Sequence, residues 1–157
     1  MPLPRDAVQT AAMRRIHQGA GAMSMDVIEQ MSEALADRVA AAGCVVAVHG
    51  GHRHVSGILW QRDTVVTSEQ LLGERTDFTV AHRSTTVAAR LAGCDPGTNV
   101  AVLRLDTPLD GAPPEAGPIP RVGSLALVLG ADAAGAPTGR LAMLHAIGAE
   151  WHSQAGG

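Results

Sequence analysis

The sequence predicts a mainly β protein, a single antiparallel β-barrel of six to eight strands preceded by one α-helix. Short runs of β-branched and aliphatic residues follow one another from residue 44 to the end, separated by Gly, Asp, Asn and Pro. Only one earlier segment has clear helical spacing. A closed barrel is favoured over an open sheet because closure leaves no apolar strand edge exposed.

The helix is predicted over 26–42, within a segment 25–43. Asp26 and Glu29 have the spacing of a capping box. Apolar residues then recur along one face at 27, 31, 35 and 39, and Gly43 stands where a C-terminal cap is preferred. Residues 1–24 lack firm periodicity, and we expect them to form an N-terminal extension that is partly helical or disordered.

The barrel is predicted to occupy 44–157. Its expected strands are 44–49, 55–60, 64–67, 78–81, 86–92, 100–105, 125–129 and 141–147. A loop rich in Pro and Gly, 106–120, interrupts the series.

Composition excludes several classes of function. The 157 residues carry a formal charge of −3, so no basic surface for nucleic acid is expected. All 12 basic residues are Arg, which excludes a lysine base or Schiff base. No run approaches a membrane span of about 20 apolar residues. Two cysteines and a poor signal peptide favour a reduced, cytoplasmic protein.

Three histidines lie close together in the first turn between strands. His49, His52 and His54 fall within six residues, and such imidazoles can bind Zn²⁺ or Cu²⁺. The intervening glycines predict a plain polar hairpin turn, and we favour this interpretation over metal binding. No other cofactor is expected.

Several segments in the same order resemble one protease family. Segment 56–60 reads Ser-Gly-Ile-Leu-Trp, 65–72 reads Val-Val-Thr-Ser-Glu-Gln-Leu-Leu, and 95–105 reads Asp-Pro-Gly-Thr-Asn-Val-Ala-Val-Leu-Arg-Leu. Segments 121–130 and 144–148 continue the series. Together they resemble the N-terminal barrel of HtrA-like, trypsin-type serine proteases, which implies a chymotrypsin-like barrel.

The resemblance implies a degenerate catalytic triad. The family's general-base histidine falls at Gln70, and its triad aspartate falls at Asn99. The family's Gly-Asn-Ser-Gly-Gly motif does not occur in the sequence, which stops where we expect the serine-bearing barrel to begin. An amide cannot act as a general base near neutral pH. We therefore expect no proteolytic activity.

The predicted function is a pseudoprotease that serves as an accessory subunit and binds another protein or a second copy of itself. One alternative is a half-protease that completes an active site with a partner chain, although Gln70 and Asn99 argue against it. The other is a small metal-binding module built on the His49–His54 turn.

Overall fold

A computed structural model of the chain describes residues 25–148. The expected N-terminal extension 1–24 and the last nine residues lie outside the described part. Residues 25–40 form a helix, α1, close to the predicted segment. Within the described range, no helix is both long and apolar enough to cross a bilayer.

In the described part of the chain, eight strands follow the helix. They are β1 Val45–His49, β2 His54–Gln61, β3 Thr64–Ser68, β4 Asp77–His82, β5 Thr85–Asp95, β6 Val100–Leu105, β7 Leu125–Ala131 and β8 Pro137–Met143. A single 3-10 turn, Glu69–Leu71, follows β3.

The first six strands close into an antiparallel barrel in the order β1-β2-β3-β6-β5-β4, with β4 pairing back onto β1. The fold class predicted from the sequence is confirmed, with six strands in the closed ring. On β6, Ala101, Leu103 and Leu105 are buried while Arg104 between them is exposed. This alternation is what a strand with one face on a core requires.

The core is aliphatic, as the scarcity of aromatic residues predicts. Its largest fully buried side chains are Leu59, Leu103, Leu109, Val46, Val48, Val65 and Val80, and Phe78 is the aromatic member of the cluster. Each fully buried Val or Leu contributes about 1.5–3 kcal/mol relative to an exposed one.

Strands β7 and β8 form a separate two-stranded sheet. The last strand was expected at 141–147 but runs from Pro137 to Met143. The turn before it explains the shift, because Asp132 Oδ1 accepts the N–H groups of Ala134 and Ala136 at 2.9 Å each. Gly135 completes the turn at φ +80°, so β8 starts directly at Pro137.

The loop 106–120 is fixed to the barrel at one point. Leu109 is only 2% exposed and belongs to the core, and its N–H donates to the Arg62 carbonyl at 2.7 Å. Gly111, two residues on, packs so closely that an added Cβ would lie 2.6 Å from the Gly43 carbonyl oxygen. Leu109 therefore ties the start of this loop to the barrel.

Candidate functional site

The end of β3 positions Gln70, the residue that the sequence resemblance aligns with the general base. Thr64, Val65 and Thr67 are buried along the strand, which then turns through Glu69–Leu71. The turn is closed by the Leu72 N–H, which donates to the Glu69 carbonyl at 3.0 Å. Gln70 sits in the middle of this turn and is exposed to solvent.

Asn99 lies beside Gln70 because β3 pairs with β6. The register places Ser68 opposite Val100, so the residue before β6 reaches the turn after β3. Asn99 has φ +56°, a left-handed conformation that Asn tolerates better than most residues. The Glu69 N–H donates to its backbone carbonyl at 3.2 Å. Gln70 and Asn99 are therefore neighbours in space.

The side chain of Asn99 is held by two donors. Its Oδ1 accepts the Gln70 backbone N–H and the Ser68 hydroxyl, both at 2.9 Å. These bonds identify the oxygen of the amide, because the Nδ2H₂ group cannot accept them. The Nδ2H₂ group of Asn99 is therefore the part of the amide that could donate to a ligand.

Asp95 stabilises the turn between β5 and β6, which contains Asn99. Its carboxylate accepts the Thr98 hydroxyl at 2.7 Å and the Gly97 N–H at 2.9 Å. These hydrogen bonds, led by the one from Thr98, hold the pKa of Asp95 below its ordinary value. The Asp95 carboxylate is thus hydrogen-bonded within the turn.

Gln70 and Asn99 carry amide side chains at the positions that the sequence resemblance aligns with the triad base and acid. The Gln70 side chain carries no group that takes up a proton near neutral pH. Asn99 is neutral, so it would not stabilise an imidazolium if one were present. The two side chains offer hydrogen-bond donors and acceptors.

A cavity of about 340 Å³ lies beside Asn99. Its apolar wall is formed by Val45, Ile58, Val66 and Leu129, and its polar wall includes Ser68 and Asn99. The cavity is bounded by both the barrel and the β7–β8 sheet. It places an apolar recess directly next to the Asn99 amide.

Ser56 joins the sheet to the barrel at the edge of this cavity. Its Oγ accepts the Ala131 N–H at 3.0 Å, and its carbonyl accepts the Thr67 hydroxyl at 2.9 Å. Sequence reasoning missed this link, because a serine in a Ser-Gly pair on a strand gives no signal of a partner 75 residues away.

The structure brings two of the three histidines of the first turn together. His49 and His54 are paired across β1 and β2 with ring centroids 5.7 Å apart, while His52 lies exposed in the turn. His49 uses Nε2 to hydrogen-bond the Ala133 carbonyl at 2.8 Å. Across residues 25–148, no three His, Cys, Asp or Glu side chains are grouped so as to hold a metal ion.

The chain belongs to the family described as the trypsin-like peptidase domain, whose model matches residues 55–152. This confirms the resemblance seen in the sequence. No curated protein sequence matches the chain significantly.

Two solved structures are similar in fold. The Rv3671c protease in an inactive form aligns with a TM-score of 0.60 and 23% identity, covering 68% of this chain and 54% of its own. A serine-to-alanine mutant of Rv3671c from M. tuberculosis H37Rv, also in an inactive form, aligns with a TM-score of 0.56 and 24% identity, covering 64% and 49%. The chain thus spans about half the length of these structures.

Proposed function

We propose that this trypsin-like domain is a pseudoprotease, which does not cleave peptide bonds by the serine-protease mechanism and acts by binding another protein chain. The observation that carries the proposal is the hydrogen bond from the Gln70 N–H to Asn99 Oδ1. It brings the backbone of Gln70 against the side chain of Asn99, the two residues that the sequence resemblance aligns with the family's base and acid.

The catalytic argument depends only on this barrel. Gln70 and Asn99 occupy the two triad positions that an N-terminal barrel supplies, so a serine delivered by any further domain or chain would find no base here. In a trypsin-like protease, asparagine in place of the triad aspartate alone lowers kcat about 10⁴-fold. The same reasoning disfavours the half-protease alternative.

The binding argument starts from the cavity beside Asn99. Ile58 lines its apolar wall and is 42% exposed, and Val100, next to Asn99 in sequence, is 38% exposed. Apolar surface beside a hydrogen-bond donor suits a polypeptide segment, which carries an aliphatic side chain next to a carbonyl acceptor. The partner is another protein or a second copy of this chain.

Catalysis is tested with the purified chain on a mixture of fluorogenic peptides and with a fluorophosphonate probe for activated serines. We expect neither hydrolysis nor labelling. Hydrolysis that disappears in the Gln70→Ala variant would contradict the proposal, because it would give Gln70 a catalytic role. An activity that survives this variant would instead point to a contaminating protease or an unrelated site.

Binding is tested with Ile58→Arg, which places a charge at the cavity mouth. The matched control is Ile119→Arg, since Ile119 is also apolar and 83% exposed but lies in the 106–120 loop. Light scattering over a range of concentrations detects self-association, and affinity capture from the native host detects a partner. We expect Ile58→Arg, but not Ile119→Arg, to abolish the complex.

A further inference from the structure

The β7–β8 hairpin has one edge that pairs with no other strand in the described part of the chain. Strands β7 and β8 pair with each other over Leu125–Ala131 and Pro137–Met143, and with no strand of the barrel. The outer edge of β7 is turned toward the barrel, because the Ala131 N–H donates to Ser56 Oγ at 3.0 Å. The outer edge of β8 is therefore the one without a neighbour. A strand edge with open N–H and C=O groups is a template for pairing with another chain.

Hydrogen bonds at the two ends of the hairpin show which residues of β8 turn their backbone outward. The Asp132 N–H donates to the Ala136 carbonyl, and the Leu144 N–H donates to the Ser124 carbonyl, at 2.9 Å each. The register between these ends has no bulge, and hydrogen-bonded pairs in an antiparallel ladder recur at every second residue. The even-numbered residues of β8 therefore bond to β7. The residues that point their N–H and C=O groups away from the hairpin are Gly139, Leu141 and Met143.

The outward residues of β8 also belong to an apolar face of the hairpin. Side chains alternate along a strand, so the odd-numbered residues of both strands share one face. Leu125, Leu141 and Met143 are each more than half exposed on this face, and Leu127 lies opposite Leu141. A two-stranded sheet is by itself only marginally stable, and further strands beside an apolar face stabilise it. A strand added along β8 would extend both the ladder and the apolar face.

We propose that β8 pairs with β8 of a second copy of this chain, antiparallel about a two-fold axis at Leu141. This register pairs the three outward residues with one another, because Leu141 meets its own counterpart and Gly139 meets Met143 of the other copy. Three hydrogen-bonded pairs give about six intermolecular hydrogen bonds. The Met143 side chain also meets Val39, whose Cγ2 packs over Gly139. The two hairpins then form one four-stranded sheet.

The charge on β8 favours this register and a second copy as the occupant. A register centred on Arg140 would place two guanidinium groups directly opposite each other, and like charges in such pairs are destabilising. In the register centred on Leu141, Arg140 faces Ala142 instead. The outward residues of β8 therefore complement themselves, as an interface between two identical surfaces requires.

This dimer contact is separate from the pseudoprotease proposal and goes beyond it. The cavity beside Asn99 is lined by Leu129 of β7 and by no residue of β8. Ile58→Arg, which tests that cavity, should therefore leave the β8 dimer unchanged. The two proposals can fail independently of each other.

Sedimentation velocity of the full chain over a range of concentrations tests for the dimer. We expect a reversible equilibrium whose dissociation constant rises at least about tenfold in Leu141→Glu, because two carboxylates then face each other across the axis. The matched control is Val128→Glu, since Val128 is also more than half exposed but lies on the opposite face of the hairpin. It should leave the dissociation constant within about twofold. Circular dichroism checks that both variants fold.

Cross-linking tests the register. The Cα atoms of a hydrogen-bonded antiparallel pair are about 5.5 Å apart, which is within disulfide range, so Leu141→Cys should give a disulfide-linked dimer on mild oxidation. Val128→Cys should not, and both variants also carry Cys94→Ser because Cys94 is an exposed free thiol.

Three results would overturn the proposal. They are a chain that stays monomeric at every concentration, a dimer as tight in Leu141→Glu as in the wild type, and equal cross-linking of the two cysteine variants. If the chain is monomeric and its capture of a host protein is lost in Leu141→Glu, the occupant of the β8 edge is a different protein.

Discussion

Asn99 accepts the backbone N–H of Gln70 through its Oδ1 at 2.9 Å, and this bond fixes the turn after β3 to the residue before β6. The acceptor is an uncharged amide oxygen, on the residue that the sequence resemblance aligns with the triad aspartate. Because the donor at position 70 is the backbone, the contact does not depend on which side chain Gln70 carries. Replacement of the Gln70 side chain therefore leaves this hydrogen bond in place.

This adjacency predicts a measurable coupling between the two positions. In Gln70→His, the introduced imidazole stands beside a neutral amide. In the double variant Gln70→His/Asn99→Asp it stands beside a carboxylate, which favours the protonated ring and should raise its pKa by about one unit or more. Histidine titration by NMR measures both values.

The control for this coupling is Gln70→His combined with Asp95→Asn. Asp95 lies four residues before Asn99 in the sequence, and its carboxylate is engaged by Thr98 and Gly97. Its replacement should change the pKa of the introduced imidazole much less. An identical imidazole pKa in all three variants would show that positions 70 and 99 are not paired.

The hydrogen bonds and the backbone conformation of Asn99 can be separated by two substitutions. Asn99→Gly keeps the left-handed φ of +56° accessible but loses the bonds from Ser68 and Gln70, which should cost about 1–2 kcal/mol of unfolding free energy. Asn99→Ala loses the same bonds and adds conformational strain of about 1 kcal/mol. Urea unfolding measures both, and equal stability of the two variants would count against the strained backbone.

Much of this architecture is readable from the sequence, because the strands of the barrel alternate buried and exposed residues between clear turns. The β8 strand could not be placed in the same way. Pro137 and Gly139 have the composition of a turn, and only the hydrogen bonds to Asp132 show that the turn ends earlier. Local composition does not contain that information.

The candidate site likewise has one part that the sequence predicts and one part that it does not. The adjacency of Gln70 and Asn99 follows from the family resemblance and the β3–β6 pairing. The bond between Ser56 and Ala131, and that between His49 and Ala133, join residues 75 and 84 positions apart. They depend on how the β7–β8 sheet packs on the barrel, and no local sequence pattern predicts that packing.

Gly111 should be intolerant of a side chain, whereas Gly117 in the same loop should accept one. A Cβ on Gly111 would lie 2.5 Å from Leu59 Cδ2 and 2.6 Å from the Gly43 carbonyl oxygen, and the backbone oxygen has little room to move. Gly117 has nothing within 4 Å of that position. We expect Gly111→Ala to cost about 1–3 kcal/mol and Gly117→Ala to be nearly neutral by urea unfolding. Matching midpoints for the two variants would contradict the close packing of the loop.

Asp63 should make the stability of the barrel sensitive to acid. Its carboxylate accepts the Thr64 hydroxyl at 2.9 Å and Arg104 Nη1 at 2.8 Å, and these interactions, led by Thr64, hold its pKa below the ordinary value of 3.8. A carboxyl whose pKa is lowered by folding stabilises the folded state above its ordinary pKa and loses that contribution as the pH falls toward the lowered value.

The melting temperature of Asp63→Asn should therefore fall below that of the wild type at neutral pH, and the difference should shrink as the pH falls below about 4. Arg104→Gln removes one of the two partners and should show a smaller difference with the same pH trend. Thermal unfolding from pH 7 to pH 3 tests both. A gap that stays constant over this range would mean that the Asp63 carboxylate is not held in its charged form by Thr64 and Arg104.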